Sequence, residues 1–204
     1  MHQPAVPECV ASMNWNVTFQ LMTALPKSKM TVDDYLAWAQ DKPGRFELYV
    51  GVVYAMTPER AGHAKVKFAV QVALRAAIQR SGLPCHMLPD GMTVRVDAHT
   101  AHEPDALIYC GEELPDTAIE VPNPVIVVEV LSPSTRHIDA SAKLAGYFRI
   151  PDMQHYLIID PDSRLVIHHA RGEAGVVTTR IMHDGTIRLD PPGMEVAVAD
   201  FYIS

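Results

Sequence analysis

Four charged side chains in this sequence are of the types that metal or phosphate chemistry needs: Glu47, Asp105, Glu129 and Lys143. Each carboxylate lies on, or at the start of, a stretch that reads as a β-strand. A hard divalent cation such as Mg²⁺ takes oxygen ligands and keeps several waters, so three carboxylates on strands are a suitable set. A lysine among them could hold an attacking hydroxide or steady charge on a phosphate. Glu129 makes the sharpest demand. It lies in VIVVEVL, residues 125–131, where every other residue is apolar. An ionised carboxylate there is costly to bury unless a metal, a cation or several hydrogen bonds meet it. A plain salt bridge to Lys143 or Arg45 would also meet that demand.

Other candidates surround these four. Asp139, Lys143 and Tyr147 recur at intervals of four and so share one helical stripe. Asp139 and Lys143 would equally serve as an ordinary helix ion pair, and Tyr147 as packing. His63 heads a long helical pattern, where it could bind phosphate, touch a metal's shell or cap the helix. His99 and His102 match no zinc spacing and read as solvent-exposed loop histidines. His168 and His169 are neighbours on a strand and face opposite ways, which argues against joint ligation. Ser132 and Ser134 lack the surroundings of a nucleophile elbow and read as turn residues.

The elements that must position these groups follow from periodicity. Residues 125–131 form a continuous apolar run bounded by turn residues, the pattern of a central strand covered on both faces. Alternation puts Val125, Val127, Glu129 and Leu131 on one face. A Ser-Pro-Ser-Thr turn (132–135) follows, then a helical pattern through residues 137–150 whose Lys143 stripe can face back toward Glu129. Upstream, Thr31 caps a short helix with two aspartates in its first turn. RFELYVGVVYAM reads as a hairpin broken at Gly51, with Arg45, Glu47 and Tyr49 on one face. The main helix runs over 63–81 and stops at Gly82. PCHMLP and MTVRVD are strands around an Asp90-Gly91 turn, HTAHE is a polar loop, and residues 104–109 form a strand led by Asp105. Four later strands (MQHYLIID, RLVIHHA, VVTTRIM, TIRL) suggest an antiparallel sheet closing the domain. The expected organisation is an extension over residues 1–28 and a single domain over 29–204.

With 48% hydrophobic and 20% charged residues, the composition is that of a soluble globular chain, without room for extensive disorder. The net charge of -7 weighs against broad electrostatic binding of nucleic acid, though not against a local basic patch. No apolar run approaches the ~20 residues of a membrane span. The N-terminus does not read as a signal peptide, so a cytoplasmic location is expected. Cys9, Cys85 and Cys110 have no close pair and are expected to be buried apolar residues, neither disulfides nor metal thiolates.

Pro104-Asp105, the apolar strand ending in Glu129-Val130, the Ser-Pro-Ser-Thr run, Asp139, Lys143 and Tyr147 together resemble the Uma2-type proteins, a DUF820 group within the PD-(D/E)xK nuclease superfamily. The similarity extends from about Met30 to the C-terminus and includes RFELYVG and His63. It implies an α/β (α+β) restriction endonuclease-like fold: a mixed β-sheet core flanked by helices, with additional antiparallel strands. It further implies an endonuclease that uses Mg²⁺ or Mn²⁺ to hydrolyse phosphodiesters. On this resemblance Asp105 and Glu129 are metal ligands, and Glu47 is an additional acidic ligand or water-orienting residue. The superfamily places a lysine two residues after the second acid. Leu131 stands there, and Lys143 matches the position on the following helix from which this group supplies it. Nucleic acid, DNA in the first instance, is the expected partner. A homodimer is expected because the late strands and the N-terminal segment offer surface to cover. Two other readings stay open. One is a catalytically inactive binding or regulatory module, motivated by Leu131 and the acidic charge; the other is a hydrolase of smaller phosphate esters.

Overall fold

The structure, a computed structural model, describes residues 26, 28–131 and 140–202. Most of the expected extension, the Ser-Pro-Ser-Thr turn and Asp139 therefore lie outside the described residues. Thr31 caps α1 (Val32–Ala39) reciprocally: its hydroxyl accepts from the Asp34 amide while the Asp34 carboxylate accepts from the Thr31 amide. Two donors that a helix start leaves unpaired are thus satisfied. α1 buries Val32 and Tyr35 against the hairpin of β1 (Phe46–Tyr49) and β2 (Val52–Ala55). The two-residue turn has φ of 50° at Val50 and 79° at Gly51. Gly51 adopts this left-handed geometry without strain, and the β-branched Val50 does so at some cost.

The main helix, α2 (Ala61–Ser81), ends where Gly82 takes φ 61°, a left-handed cap that residues with a Cβ resist. Beyond it come β3 (Cys85–Pro89), β4 (Val94–Asp97), β5 (Thr100–His102), β6 (Ala106–Cys110) and β7 (Pro124–Val130). Then follow α3 (Ala140–Tyr147), β8 (His155–Asp160), β9 (Leu165–Arg171) and β10 (Val177–Met182), with β11 (Thr186–Leu189) and β12 (Met194–Ala197) last. The strands form a six-stranded sheet of order β10-β9-β8-β7-β6-β3, a four-stranded sheet of order β2-β1-β5-β4 and the β11-β12 pair. β7 and β8 run parallel while the other neighbours in the large sheet are antiparallel. A parallel pair needs a crossover, and α3 lies in it. Arg171 holds the far end of α3 by donating to the carbonyls of Phe148, Ile150 and Met153.

One face of the large sheet, with Ile108, Ile126, Val128 and Leu157, packs under α2 and the β11-β12 pair. The other face, with Leu107, Val127, Tyr156 and Ile158, packs against Tyr147, Ile150 and Met153. β7 is an internal strand, as its apolar run predicts. Its first residue assignment needs correcting, however. Ile108 pairs with Ile126 but Tyr109 pairs with Pro124, so Val125 is the extra residue of a bulge and packs on the α2 side instead of sharing a face with Val127 and Leu131.

Three further expectations are corrected. Cys85 and Cys110 stand directly opposite each other on β3 and β6 and form a disulfide. Their separation of 25 residues hid a pairing that strand register creates. HTAHE is no loop: Thr100, Ala101 and His102 are all buried in β5 between β1 and β4. TIRL leaves the closing sheet to pair with the unforeseen β12. Among the described residues, no helix is long and apolar enough to cross a membrane.

Candidate active site

Lys143 and Tyr147 lie one turn apart on α3, and both reach Glu129 on β7. The Lys143 ammonium donates to Glu129 Oε1 at 2.8 Å and to Glu47 Oε1 at 2.9 Å. The Tyr147 hydroxyl donates to Glu129 Oε1 at 2.8 Å, and the Glu103 amide donates to Glu47 Oε1 at 3.1 Å. Glu47, Lys143 and Tyr147 are all buried. Burial alone would push the Glu47 carboxyl up, but the Lys143 ammonium and the His102 ring beside it bring it down to about 2. Burial likewise favours a neutral lysine, and the two carboxylates reverse this, holding Lys143 above its usual range. Burial and the Glu129 charge keep Tyr147 protonated as a donor.

Asp105 sits just before β6, alongside the end of β7. Its Oδ2 accepts the Val130 amide at 2.7 Å. α2 presents His63, Lys67 and Gln71 to it at successive turns. His63 Nε2 donates to the Val130 carbonyl at 2.8 Å and lies 3.8 Å from Asp105 Oδ2. The Lys67 ammonium lies 3.8 Å from Oδ1, and Gln71 donates to the Asp105 carbonyl at 2.9 Å. Lys67 meets Glu59 and Asp90 more closely, and Arg45 bridges Asp90 and Glu103. Desolvation and the nearby Glu129 charge raise the Asp105 carboxyl to about 6, because the Val130 amide, His63 and Lys67 offset them only in part. Glu103 is raised too, chiefly by burial. Among the described residues, the carboxylates of Glu47, Glu59, Asp90, Glu103, Asp105 and Glu129 face Arg45, Lys67 and Lys143 as fixed cations.

The structure thus joins Glu47, Glu129, Lys143 and Tyr147 in one hydrogen-bonded set and brings Asp105 and His63 beside it. Arg45 does not reach Glu129. Sequence reading missed Lys67 and Gln71, although their spacing of four from His63 along a predicted helix was a usable signal. It also misplaced His102, which is 1% exposed. His102 lies with its Nδ1 3.7 Å from Glu47 Oε1 and its ring edge-on to Tyr147 at 5.5 Å. His99 is exposed as expected. His168 and His169 do face apart, one meeting His155 and the other Thr179.

Among the described residues no three His, Cys, Asp or Glu side chains form a ready metal cluster. The residues do supply a pair of hard oxygen donors, Asp105 and Glu129, whose mutual repulsion lifts Asp105. Such a pair fits a divalent cation that completes its shell with water. Glu47 and Glu129 each already take two donors on Oε1; Glu129 is the one whose charge acts on Asp105.

A mixed sheet flanked by helices, with acids at the ends of its inner strands, is a restriction endonuclease-like α+β fold. A crystal structure from Anabaena variabilis, titled as "a putative nuclease belonging to DUF820", has this fold: it aligns with a TM-score of 0.67 at 15% identity, covering 85% of this chain and 97% of that one. The Uma2 family, described as "Putative restriction endonuclease", matches residues 32–199, and the chain belongs to it. Two uncharacterized proteins of Synechocystis are similar. One is 24% identical over 179 residues, covering 87% of this chain and 93% of its own, and the other 22% over 165 residues, covering 79% and 93%.

Proposed function

We propose that the protein is a divalent-metal-dependent endonuclease that hydrolyses phosphodiester bonds in nucleic acid, with DNA the first substrate to try. The observation that supports this reading best is the Asp105–Glu129 pair, two carboxylates at adjoining strand ends, of which Asp105 meets no basic side chain closer than 3.8 Å among the described residues and is raised by burial and the Glu129 charge. Mg²⁺ or Mn²⁺ bound there supplies Lewis-acid polarisation of a phosphate oxygen. The chain's own residues do the rest. The Val130 amide fixes the Asp105 carboxylate, and the Tyr147 hydroxyl fixes that of Glu129. Lys143 keeps its proton at neutral pH, so it acts as a donor that orients water or steadies charge on the phosphate, and not as the base. Glu47 is best placed to aim Lys143. A homodimer fits the exposed Val176 and Ile181 at the edge strand β10.

A specific observation favours a second reading, a nuclease-fold module without catalysis. Lys143 already bonds both Glu47 and Glu129, so those charges have a partner without any metal. Incubation with DNA and RNA in Mg²⁺, Mn²⁺ or chelator, beside Glu129→Ala, separates the two. The nuclease reading expects cleavage that chelator and the substitution both abolish. Absence of cleavage by the unaltered protein, or equal cleavage by both proteins, favours the module.

A further inference from the structure

The least comfortable polar group in the described structure is His102. Its ring is buried, with 1% of the residue exposed, and neither Nδ1 nor Nε2 has a hydrogen-bond partner. Buried polar atoms are nearly always paired, because an unpaired one forfeits its bonds to water without return. An apolar ring at this position would avoid that penalty. The surroundings indicate what the histidine does instead. Nδ1 faces Glu47 Oε1 at 3.7 Å, and the ring stands edge-on to Tyr147 with centroids 5.5 Å apart. Glu47 is the carboxylate that aims Lys143, and Tyr147 is the hydroxyl that aims Glu129. The residue after the histidine, Glu103, donates its amide to the same Glu47 oxygen. The end of β5 therefore reaches both supports of the Lys143–Glu129 pair, one on the four-stranded sheet and one on α3.

We infer that His102 is a positioning residue: Nδ1, too far from Glu47 Oε1 at 3.7 Å for a hydrogen bond, holds that carboxylate electrostatically, the ring packs edge-on against Tyr147, and together they keep Lys143 on Glu129. The inference rests on the nuclease reading for its catalytic consequence but not for its structural one. A side chain that aims others need not touch substrate, and small errors of aim are costly in turnover.

Three substitutions separate the ring's nitrogen from its volume. His102→Phe keeps the ring and removes both nitrogens. His102→Asn places an amide where Nδ1 was, and His102→Gln places one nearer Nε2. In the cleavage assay His102→Phe lowers kcat about tenfold or more with KM little changed, the signature of lost aim. His102→Asn restores most of the rate and His102→Gln does not. The melting temperature of His102→Phe is not lowered, since the unpaired nitrogens are gone. The second readout needs no catalysis: acetylation of Lys143 followed by mass spectrometry. Lys143 is protected in the unaltered protein and in His102→Asn, and labels several-fold faster in His102→Phe. Equal kcat and equal Lys143 labelling in His102→Phe and the unaltered protein overturn the inference. A rate loss that merely tracks a lowered melting temperature in all three variants overturns it too. An inactive unaltered protein whose Lys143 protection still follows Nδ1 would refute the nuclease reading and leave the positioning role intact.

Discussion

The two sides of the site handle buried charge differently. On the α3 side, Glu47, Glu129, Lys143 and Tyr147 meet at 2.8 to 2.9 Å, and Glu47 is pulled down to about 2 by its partners. On the α2 side, among the described residues, the Asp105 carboxylate has one short bond, from the Val130 amide, while His63 and Lys67 stand 3.8 Å away and its carboxyl rises to about 6. The first arrangement is complete in itself and the second invites a cation. On the proposed reading, the α3 side supplies the aiming groups and the Asp105–Glu129 seam would hold the metal.

Breaking the complete side should cost most. Lys143→Met leaves the buried Glu47 and the partly buried Glu129 without their ammonium and is expected to destabilise the fold by about 3 kcal/mol, visible in chemical denaturation, with cleavage abolished. Tyr147→Phe removes one of the two donors to Glu129 among the described residues and is expected to cost about 1.5–3 kcal/mol in the same measurement, the usual worth of a hydrogen bond to a charged group.

The Asp105 side should respond to pH. Its folded-state carboxyl, at about 6, lies above the ordinary 3.8. The protonated form is favoured by folding, so the stability this group contributes is present at acid pH and is lost as pH rises through about 6. Cation binding requires the ionised form and moves the other way, so divalent affinity is expected to fall about tenfold from pH 7 to pH 5. Calorimetry at the two values checks this, and flat affinity would remove Asp105 from the ligand set. The smallest effect has the opposite sign to the first two. Asp105→Asn keeps an acceptor for the Val130 amide and removes the under-compensated charge, so at pH 7 it is expected to gain on the order of 1 kcal/mol of stability. A loss of several kcal/mol on denaturation would mean that Asp105 is a structural ion-pair partner.

Much of this was legible wherever the signal is local. The Thr31 cap, the Gly51 turn, the Gly82 stop, the β7 run and the Lys143-Tyr147 stripe each depend on a few neighbouring residues, and each lies where the pattern put it. What failed depends on strand partners far away in sequence. The Cys85–Cys110 disulfide, the Val125 bulge and the β11-β12 pair all arise from register. β5 is only three residues long and polar at two of them, so nothing marked His102 as buried. For the site, residue types picked out acids and a lysine that the fold brings together, whereas the division of labour proposed for them rests on distances. Glu47 looks like a ligand in sequence and like the holder of Lys143 in space.

The most direct test is a calorimetric titration of Mn²⁺ at pH 7 into the unaltered protein and into Asp105→Asn. Binding by the first that is lost in a folded second is the predicted result. Absence of binding by the unaltered protein, or undiminished binding by the variant, would contradict the placement of a cation between Asp105 and Glu129.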